Sequence, residues 1–322
     1  MAFDKMIVKK LLKKFDDVPF VVKFPDGEEF KVGEGEPQAI IRANGGIDMG
    51  AVMKSPSLAL GEAYMDKTLE LEKGDLFEIL NMVLAKLEDF ASDFSGLTKI
   101  MKTSTSKKNQ KQEIATHYDI GNEFFELWLD ETMSYSCGYF KHETDTLYDA
   151  QVNKVEHILK KLNLKEGQTL LDIGCGWGYL LIAAAKKYHV KGVGITLSEE
   201  QYKKGQERIK EYGLEGQVEI ELIDYRDVAA SRRTFDRIVS IGMLEHVGRP
   251  NFPMYMEDAS DMLKDGGSFL LHYISDPSEK ETSAWIRKYI FPGGCLPSLR
   301  EMVSLAYDYD MNVIDVESLR YH

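Results

Sequence analysis

The run Thr169-Leu-Leu-Asp-Ile-Gly-Cys-Gly-Trp-Gly-Tyr179 constrains the fold more than any other stretch of this 322-residue chain. Its apolar part is too short for a helix, ends in an acid, and meets three glycines at alternate positions before a second apolar run. That is the pattern of buried strand, tight turn and helix. Gly174, Gly176 and Gly178 let the backbone turn sharply and approach a ligand with no Cβ in the way, while Asp172 at the strand end can fix the turn. Such a turn either cradles a nucleotide-like cofactor or serves as a bare strand-helix connection. The spacing is G-x-G-x-G rather than the G-x-G-x-x-G of dinucleotide folds, and no Gly-Lys-Ser/Thr follows as in a phosphate loop. Among such cofactors it favours S-adenosylmethionine.

The elements on either side of this run alternate. A helix over 149–162 leads into the strand; after it come helix 178–188, strand 190–195, helix 199–212, strands 217–222 and 235–241, helix 252–263 and strand 267–273. The fold class implied is α/β, a doubly wound and mostly parallel sheet. Before it, Phe20 to Phe24 and Glu29 to Val32 flank Pro25-Asp-Gly27 as a hairpin, Gln38 to Arg42 can add a strand, and helical patterns follow around 58–65 and 76–87. Residues 1–94 therefore read as a small α+β domain, 95–112 as a polar, basic linker and 113–322 as the α/β domain. Met1 to Lys14 combines an apolar helical face with Lys9, Lys10, Lys13 and Lys14, which suits either an anionic lipid surface or packing on its own domain.

Charge narrows the partners. Residues 1–116 hold 17 basic against 19 acidic residues, and the remainder 23 against 34, so most of the net charge of −13 lies in the second part. A nucleic-acid partner would need a basic face and is disfavoured. Cys137, Cys175 and Cys295 are widely spaced and odd in number, which suggests neither a disulfide framework nor a zinc site and fits a reducing cytoplasm. No apolar run approaches the roughly 18 residues of a membrane span, so membrane contact is expected to be peripheral.

The runs HYDIGNEFF, YSCGYF, LDIGCGWG, GITLSEEQ, LIDYRDV, VSIGMLEHVG, LLHYIS and YIFPGGCLPS follow in order over residues 114–322. Together they resemble the cyclopropane fatty acid synthases and the related mycolic acid cyclopropane synthases. The N-terminal domain is similar to the lipid-contacting extension of the bacterial phospholipid enzymes. The resemblance implies that S-adenosylmethionine sits against Gly174 and Gly176, with Tyr135 and Ser136 lining its pocket. It also implies that Thr196 and Gln201 hold the ribose and that Asp224 and Tyr225 lie beside the adenine. Cofactor sites outside the carboxyl ends of parallel strands agree with this.

The reaction implied passes the activated methyl to a cis double bond of an unsaturated phospholipid acyl chain, giving a carbocation that loses a proton and closes to a ring. Such a cation needs a dry pocket with aromatic faces. Tyr118, Phe124, Phe125, Tyr139, Phe140, Trp177 and Tyr273 are candidates to line it. The base implied is a bound bicarbonate, held by Glu245 and His272 with the backbone at Cys137 and Ile274, and Tyr118 lining the same pocket. Glu245 and His272 each end an expected strand, where sites gather. Trp285 to Phe291 mixes apolar and basic residues where the family borders its acyl channel, and suits either that role or a plain cover helix.

The matched C-terminal run DVESLRYH stops just before a tyrosine that the family uses on bicarbonate, so the chain is expected to be C-terminally truncated. The resemblance also implies a homodimer working peripherally at the inner face of the cell membrane. Two other readings compete: a methyltransferase of a soluble small amine, and a catalytically silent module that binds cofactor or membrane.

Overall fold

A computed structural model describes residues 2–15, 18–81, 121–279 and 281–322. The chain divides into two compact units, one comprising Met1–Lys102 with Ser283–Trp285, the other Thr103–Thr282 with Ile286–His322.

The first unit opens with helix α1 (Ala2–Leu12) and carries β1 (Phe20–Lys23), β2 (Glu29–Val32), β3 (Ala39–Ala43), α2 (Met49–Lys54), α3 (Pro56–Met65) and β4 (Leu69–Lys73). The strands form one sheet in the order β2-β1-β3-β4, with β1 and β3 parallel and the other pairs antiparallel. Period-two alternation buries Phe20 and Val22 with Val32 and Ala39, and Phe24, Phe30 and Leu71 pack around them. The strand β4 has no counterpart among the sequence expectations, because charges at Glu70, Glu72 and Lys73 mask its alternation. Lys5 bridges Asp26 and Glu28 at 2.5 and 2.6 Å, and Lys9 pairs with Glu28. Both ammonium groups lie over the Phe24 ring, at 4.6 and 5.7 Å. Two of the three lysines of α1 are thus paired with the adjoining hairpin, while Lys10 and, just past the helix, Lys13 stay exposed.

In the second unit α4 (Asn122–Glu126) and α5 (Leu147–Leu162) precede β5 (Thr169–Ile173), α6 (Tyr179–Tyr188), β6 (Lys191–Thr196), α7 (Glu199–Glu211) and β7 (Val218–Leu222). Then come α8 (Tyr225–Ala230), β8 (Phe235–Ile241), α9 (Phe252–Met262), β9 (Leu263–His272), α10 (Ala284–Tyr289), whose first two residues are assigned to the first unit, and α11 (Leu299–Asp308). The five strands make a wholly parallel sheet in the order β7-β6-β5-β8-β9, the doubly wound α/β architecture expected.

The chain reverses its direction of winding at β5, so the central strand has helices from both halves at its carboxyl end. Alternation along it sends Leu170 to one face and Leu171 and Ile173 to the other. On the first face lie Val155, Ile158 and Leu159 of α5, Leu181 of α6 and Ile209 of α7. On the second lie Val228 of α8, Phe252 and Tyr255 of α9 and Met302 of α11. Each such buried aliphatic side chain stabilises the fold by about 1.5–3 kcal/mol. The helix α5 is started by a capping box, in which Thr146 accepts from the Asp149 amide and Asp149 returns the bond to Thr146. The amino-terminal ends of β5 and β8 are clasped by Asp236, which accepts from the Thr169 amide at 2.8 Å and its hydroxyl at 2.7 Å.

Candidate active site

The glycine run after β5 folds as its spacing demands. Gly174, Gly176 and Gly178 have φ of 82°, 55° and 81°, in the left-handed region that favours glycine. A Cβ on Gly174 would lie 2.8 Å from Met243 Cγ, whereas one on Gly176 would meet no atom within 4 Å. Gly174 is therefore fixed by packing, and Gly176 presents bare backbone to open space. That space is a cavity lined by Asp172, Gly174, Gly176, Thr196, Gln201 and Tyr225, with Tyr135 and Ser136 over it. Eight of the nine expected cofactor residues thus come to one cavity.

Asp224 is the exception. It is buried, caps α8 by accepting from the Arg226 amide, and is gripped by the Arg226 guanidinium at 2.7 and 2.5 Å. Its carboxylate is not among the cavity lining. The neighbouring Ile223 and Tyr225 line the cavity instead, and the Tyr225 hydroxyl is buried with no hydrogen-bond partner among the described residues.

At the carboxyl end of β6 the Thr196 hydroxyl donates to Gln201 Oε1 at 2.8 Å, and Ser198 caps α7 by accepting from the Gln201 amide at 3.2 Å. Both expected ribose residues are buried and line the cavity. Across from them the segment 131–136 is tied down on two sides. Gln151 of α5 donates to the Ser134 and Ser136 carbonyls at 3.3 and 2.9 Å, and Arg208 of α7 donates to the Thr132 and Glu131 carbonyls at 3.0 and 3.3 Å.

The residues fit S-adenosylmethionine: open backbone at Gly176, apolar walls from Ile195, Ile223 and Ile241 for a purine, and hydroxyl and amide groups between them.

A second group gathers where β8 and β9 end. Glu245 Oε1 accepts from the Ile274 amide at 2.7 Å, and His272 Nε2 lies 3.5 Å from Cys137 Sγ. The Ile274 amide, expected to hold bicarbonate, is thus engaged by Glu245. Burial pushes the Glu245 carboxyl above the usual carboxylate range. Burial, then the charge of Lys154, lowers His272 to about 4, so the ring is neutral at neutral pH. Burial also raises the Cys137 thiol, which keeps its proton and can donate it to Nε2. With the thiol as donor, the ring proton would sit on Nδ1. Glu245 Oε2 and His272 Nδ1 are both buried with no partner among the described residues. One acceptor and one donor are therefore left to be satisfied by something else.

Among the candidate aromatic residues, Phe125 and Trp177 form a buried cluster with Met133, packed on by Tyr135. Trp177 Nε1 donates to Asn122 at 2.6 Å and the ring borders the cavity. Phe124 is 44% exposed, and Tyr139 is stacked between His157 and His322 at 4.5 and 4.2 Å, so neither lines the cavity. Tyr118 lies outside the described residues, as do the linker 95–112 and the larger part of the helical pattern 76–87.

Sequence reasoning missed Lys154. It is buried on the inner face of α5, borders the cavity, and donates to the Ser136 hydroxyl at 2.7 Å. The signal was present: Gln151 and Lys154 interrupt the stripe that continues as Val155, Ile158 and Leu162. Polar residues on the buried face of a helix are a mark of a site.

Comparison with known proteins accords with this geometry. Over 311 residues the chain is 37% identical to the probable fatty acid methyltransferase of Pseudomonas putida, covering 95% of this chain and 78% of that one. It is 42% identical over 274 residues to the cyclopropane-fatty-acyl-phospholipid synthase of Escherichia coli strain K12, covering 83% and 69%. The solved mycolic acid cyclopropane synthase CmaA1, complexed with SAH and CTAB, superposes with a TM-score of 0.61 at 34% identity over 66% of this chain and 78% of that one. Residues 7–95 match a domain family of unknown function. Residues 105–322 match the family described as mycolic acid cyclopropane synthetase, and the chain belongs to that family.

Proposed function

We propose that the protein is a cyclopropane-fatty-acyl-phospholipid synthase, transferring a methylene group from S-adenosylmethionine to the cis double bond of an unsaturated phospholipid acyl chain. The observation that carries the reading is the orphaned pair Glu245 Oε2 and His272 Nδ1, set where β8 and β9 end. Methyl transfer to an alkene leaves a carbocation, whichever product follows. Ring closure needs a base as well, and an unfilled donor and acceptor suit a small oxyanion that carries a proton.

Bicarbonate has that form: its hydroxyl can donate to Glu245 Oε2 while one of its oxygens accepts from His272 Nδ1. When bound it supplies a base that accepts the proton lost from the transferred carbon. Glu245 is itself held by the Ile274 amide, which fixes which of its oxygens is free. His272 is kept neutral, so with the ring proton on Nδ1 it donates without repelling the positive charge that develops on the acyl chain. Trp177 and Tyr135 supply aromatic faces to the cofactor cavity, with Phe125 packed behind them. The alkene electron pair forms the new carbon–carbon bond as the carbon–sulfur bond breaks, and the pair released by deprotonation closes the ring.

We infer further that the substrate is met peripherally at a membrane face. No helix among the described residues is long and apolar enough to cross a membrane, and Lys10 of α1 and Lys13 just beyond it remain exposed to anionic headgroups.

Vesicles of cis-unsaturated phospholipid incubated with the protein and methyl-labelled S-adenosylmethionine test the reading. Label recovered in cyclopropane acyl chains is expected. Label in a methyl branch would make the protein a fatty acyl methyltransferase, and no lipid label would overturn the assignment.

A further inference from the structure

Lys154 is a lysine with almost no contact with solvent, in a cavity where a cation is the ligand. Among the described residues it is the one lysine or arginine in the cavity lining, and Asp172 is the one carboxylate there. Among the described residues its ammonium has a single hydrogen-bond acceptor, the neutral Ser136 hydroxyl at 2.7 Å, which leaves two of its three donors unused. Asp172, equally buried, makes no side-chain hydrogen bond and no ion pair within 4 Å among the described residues, with Lys154 or with any other cation. Two buried, opposite charges that both face one cavity and do not satisfy each other are costly in the free chain. They mark the place of a ligand that carries both complements.

The amino-acid end of S-adenosylmethionine does so, with an α-carboxylate and an α-ammonium on one carbon. The cavity also fixes which end lies here. Ile223 and Tyr225 wall one side and Thr196 and Gln201 lie beside them, whereas Lys154, Ser136 and Asp172 sit on the side of α5 and the carboxyl end of β5. The adenosine and the amino acid must occupy different parts of the cavity, so the charged pair faces the amino acid.

We propose that Lys154 is the residue that binds the α-carboxylate of S-adenosylmethionine, with Asp172 taking the α-ammonium. The Ser136 hydroxyl aims the ammonium of Lys154, and Gln151, one turn earlier on α5, holds Ser136 in place through its carbonyl. The pairing also places a negative charge between the ammonium of Lys154 and the sulfonium, which would otherwise repel each other in a medium of low dielectric. Burial holds Lys154 down at about 8 and Asp172 up at about 7 in the free chain, so both groups gain from the arrival of an opposite charge.

The inference rests on the S-adenosylmethionine seat and not on the fate of the lipid, so its test uses binding alone. Calorimetric affinities are measured for S-adenosylhomocysteine, for its carboxyl methyl ester and for methylthioadenosine, which lacks the amino-acid end. Replacing the buried ammonium by a methionine side chain removes a desolvated charge and keeps the volume. K154M is therefore expected to fold, and K154Q serves as the second variant. The wild-type protein should lose about tenfold or more in affinity on esterification of the ligand, as expected for losing a buried ion pair. K154M should bind S-adenosylhomocysteine at least about tenfold more weakly, show little further loss on esterification, and hold methylthioadenosine within about threefold of wild type. An esterification penalty that persists in K154M and K154Q, or an equal fall for methylthioadenosine, would overturn the assignment. Failure of the lipid reaction with these couplings intact would count against the proposed function alone.

Discussion

Gly176 allows stability and cofactor binding to be separated in one substitution. Its φ of 55° is accessible to alanine at a cost of about 1 kcal/mol, and its missing Cβ would meet no atom within 4 Å. In the ligand-free protein G176A should thus lose only about 1 kcal/mol, roughly a 2–4 °C fall in Tm for a domain of this size. With cofactor bound, the added methyl projects into the space the ligand needs. Overpacking of that kind costs about 1–3 kcal/mol, or roughly a 5- to 150-fold loss of affinity. The control is Gly174, where a Cβ would stand 2.8 Å from Met243 Cγ. G174A should pay both the backbone cost and the collision before any ligand arrives, so its loss of stability should exceed that of G176A. Thermal unfolding of the free variants and calorimetric titration with S-adenosylhomocysteine measure both quantities. A G176A protein that binds like wild type, or one that unfolds more readily than G174A, would refute the identification of Gly176 as the open wall of the cofactor seat.

Three further outcomes follow from the charged groups. E245Q keeps the acceptor for the Ile274 amide but cannot act as a carboxylate towards an oxyanion's proton; ring formation should fall by about 100-fold or more while S-adenosylhomocysteine affinity stays within about twofold, as turnover and titration would report. His272 is held neutral down to about 4, against 6.5 when unfolded, so the unfolded state binds the proton first and stability falls as pH drops from 6.5 to 4. The fall is about 3 kcal/mol, and denaturant titrations of H272Q across that range should lack this part of the slope. Asp236 is lowered to about 2 by the Thr169 amide and hydroxyl and by Lys264, so its contribution is complete above 3.8 and is lost as pH falls through 2. Allowing for its exposure to solvent, D236N should be about 1–2 kcal/mol less stable than wild type in urea at pH 7, with the gap narrowing below pH 4.

The parts of the molecule that were legible in the sequence are those whose pattern is repeated by several physical demands at once. The strand at Thr169–Ile173 is short, apolar and closed by glycines, and each of these properties serves the same central parallel strand. The helices α5, α6, α7 and α9 were read from apolar periodicity that also builds the two cores. Where a single residue decides, the sequence is silent. The short helix α8 is capped by Asp224, and the same carboxylate, gripped by Arg226, is not in the cavity lining it was expected to join. Strand β9 begins at Leu263, earlier than apolar content suggests, since Lys264, Asp265, Gly266 and Gly267 carry no strand signal of their own. Lys154 escaped notice for a related reason. A lysine on a helix reads as solvated surface until the neighbouring stripe is seen to face the sheet.

The central claim is that this chain makes a ring and not a methyl branch, and isotope counting tests it most directly. With S-adenosylmethionine bearing a trideuterated methyl and vesicles of cis-unsaturated phospholipid, mass spectrometry of the released acyl chains should find products that retain two of the three deuterons. The third leaves as the deuteron that the base proposed to be held by Glu245 and His272 would remove. Products retaining all three deuterons would show that no base acts on the transferred carbon, and would contradict the account.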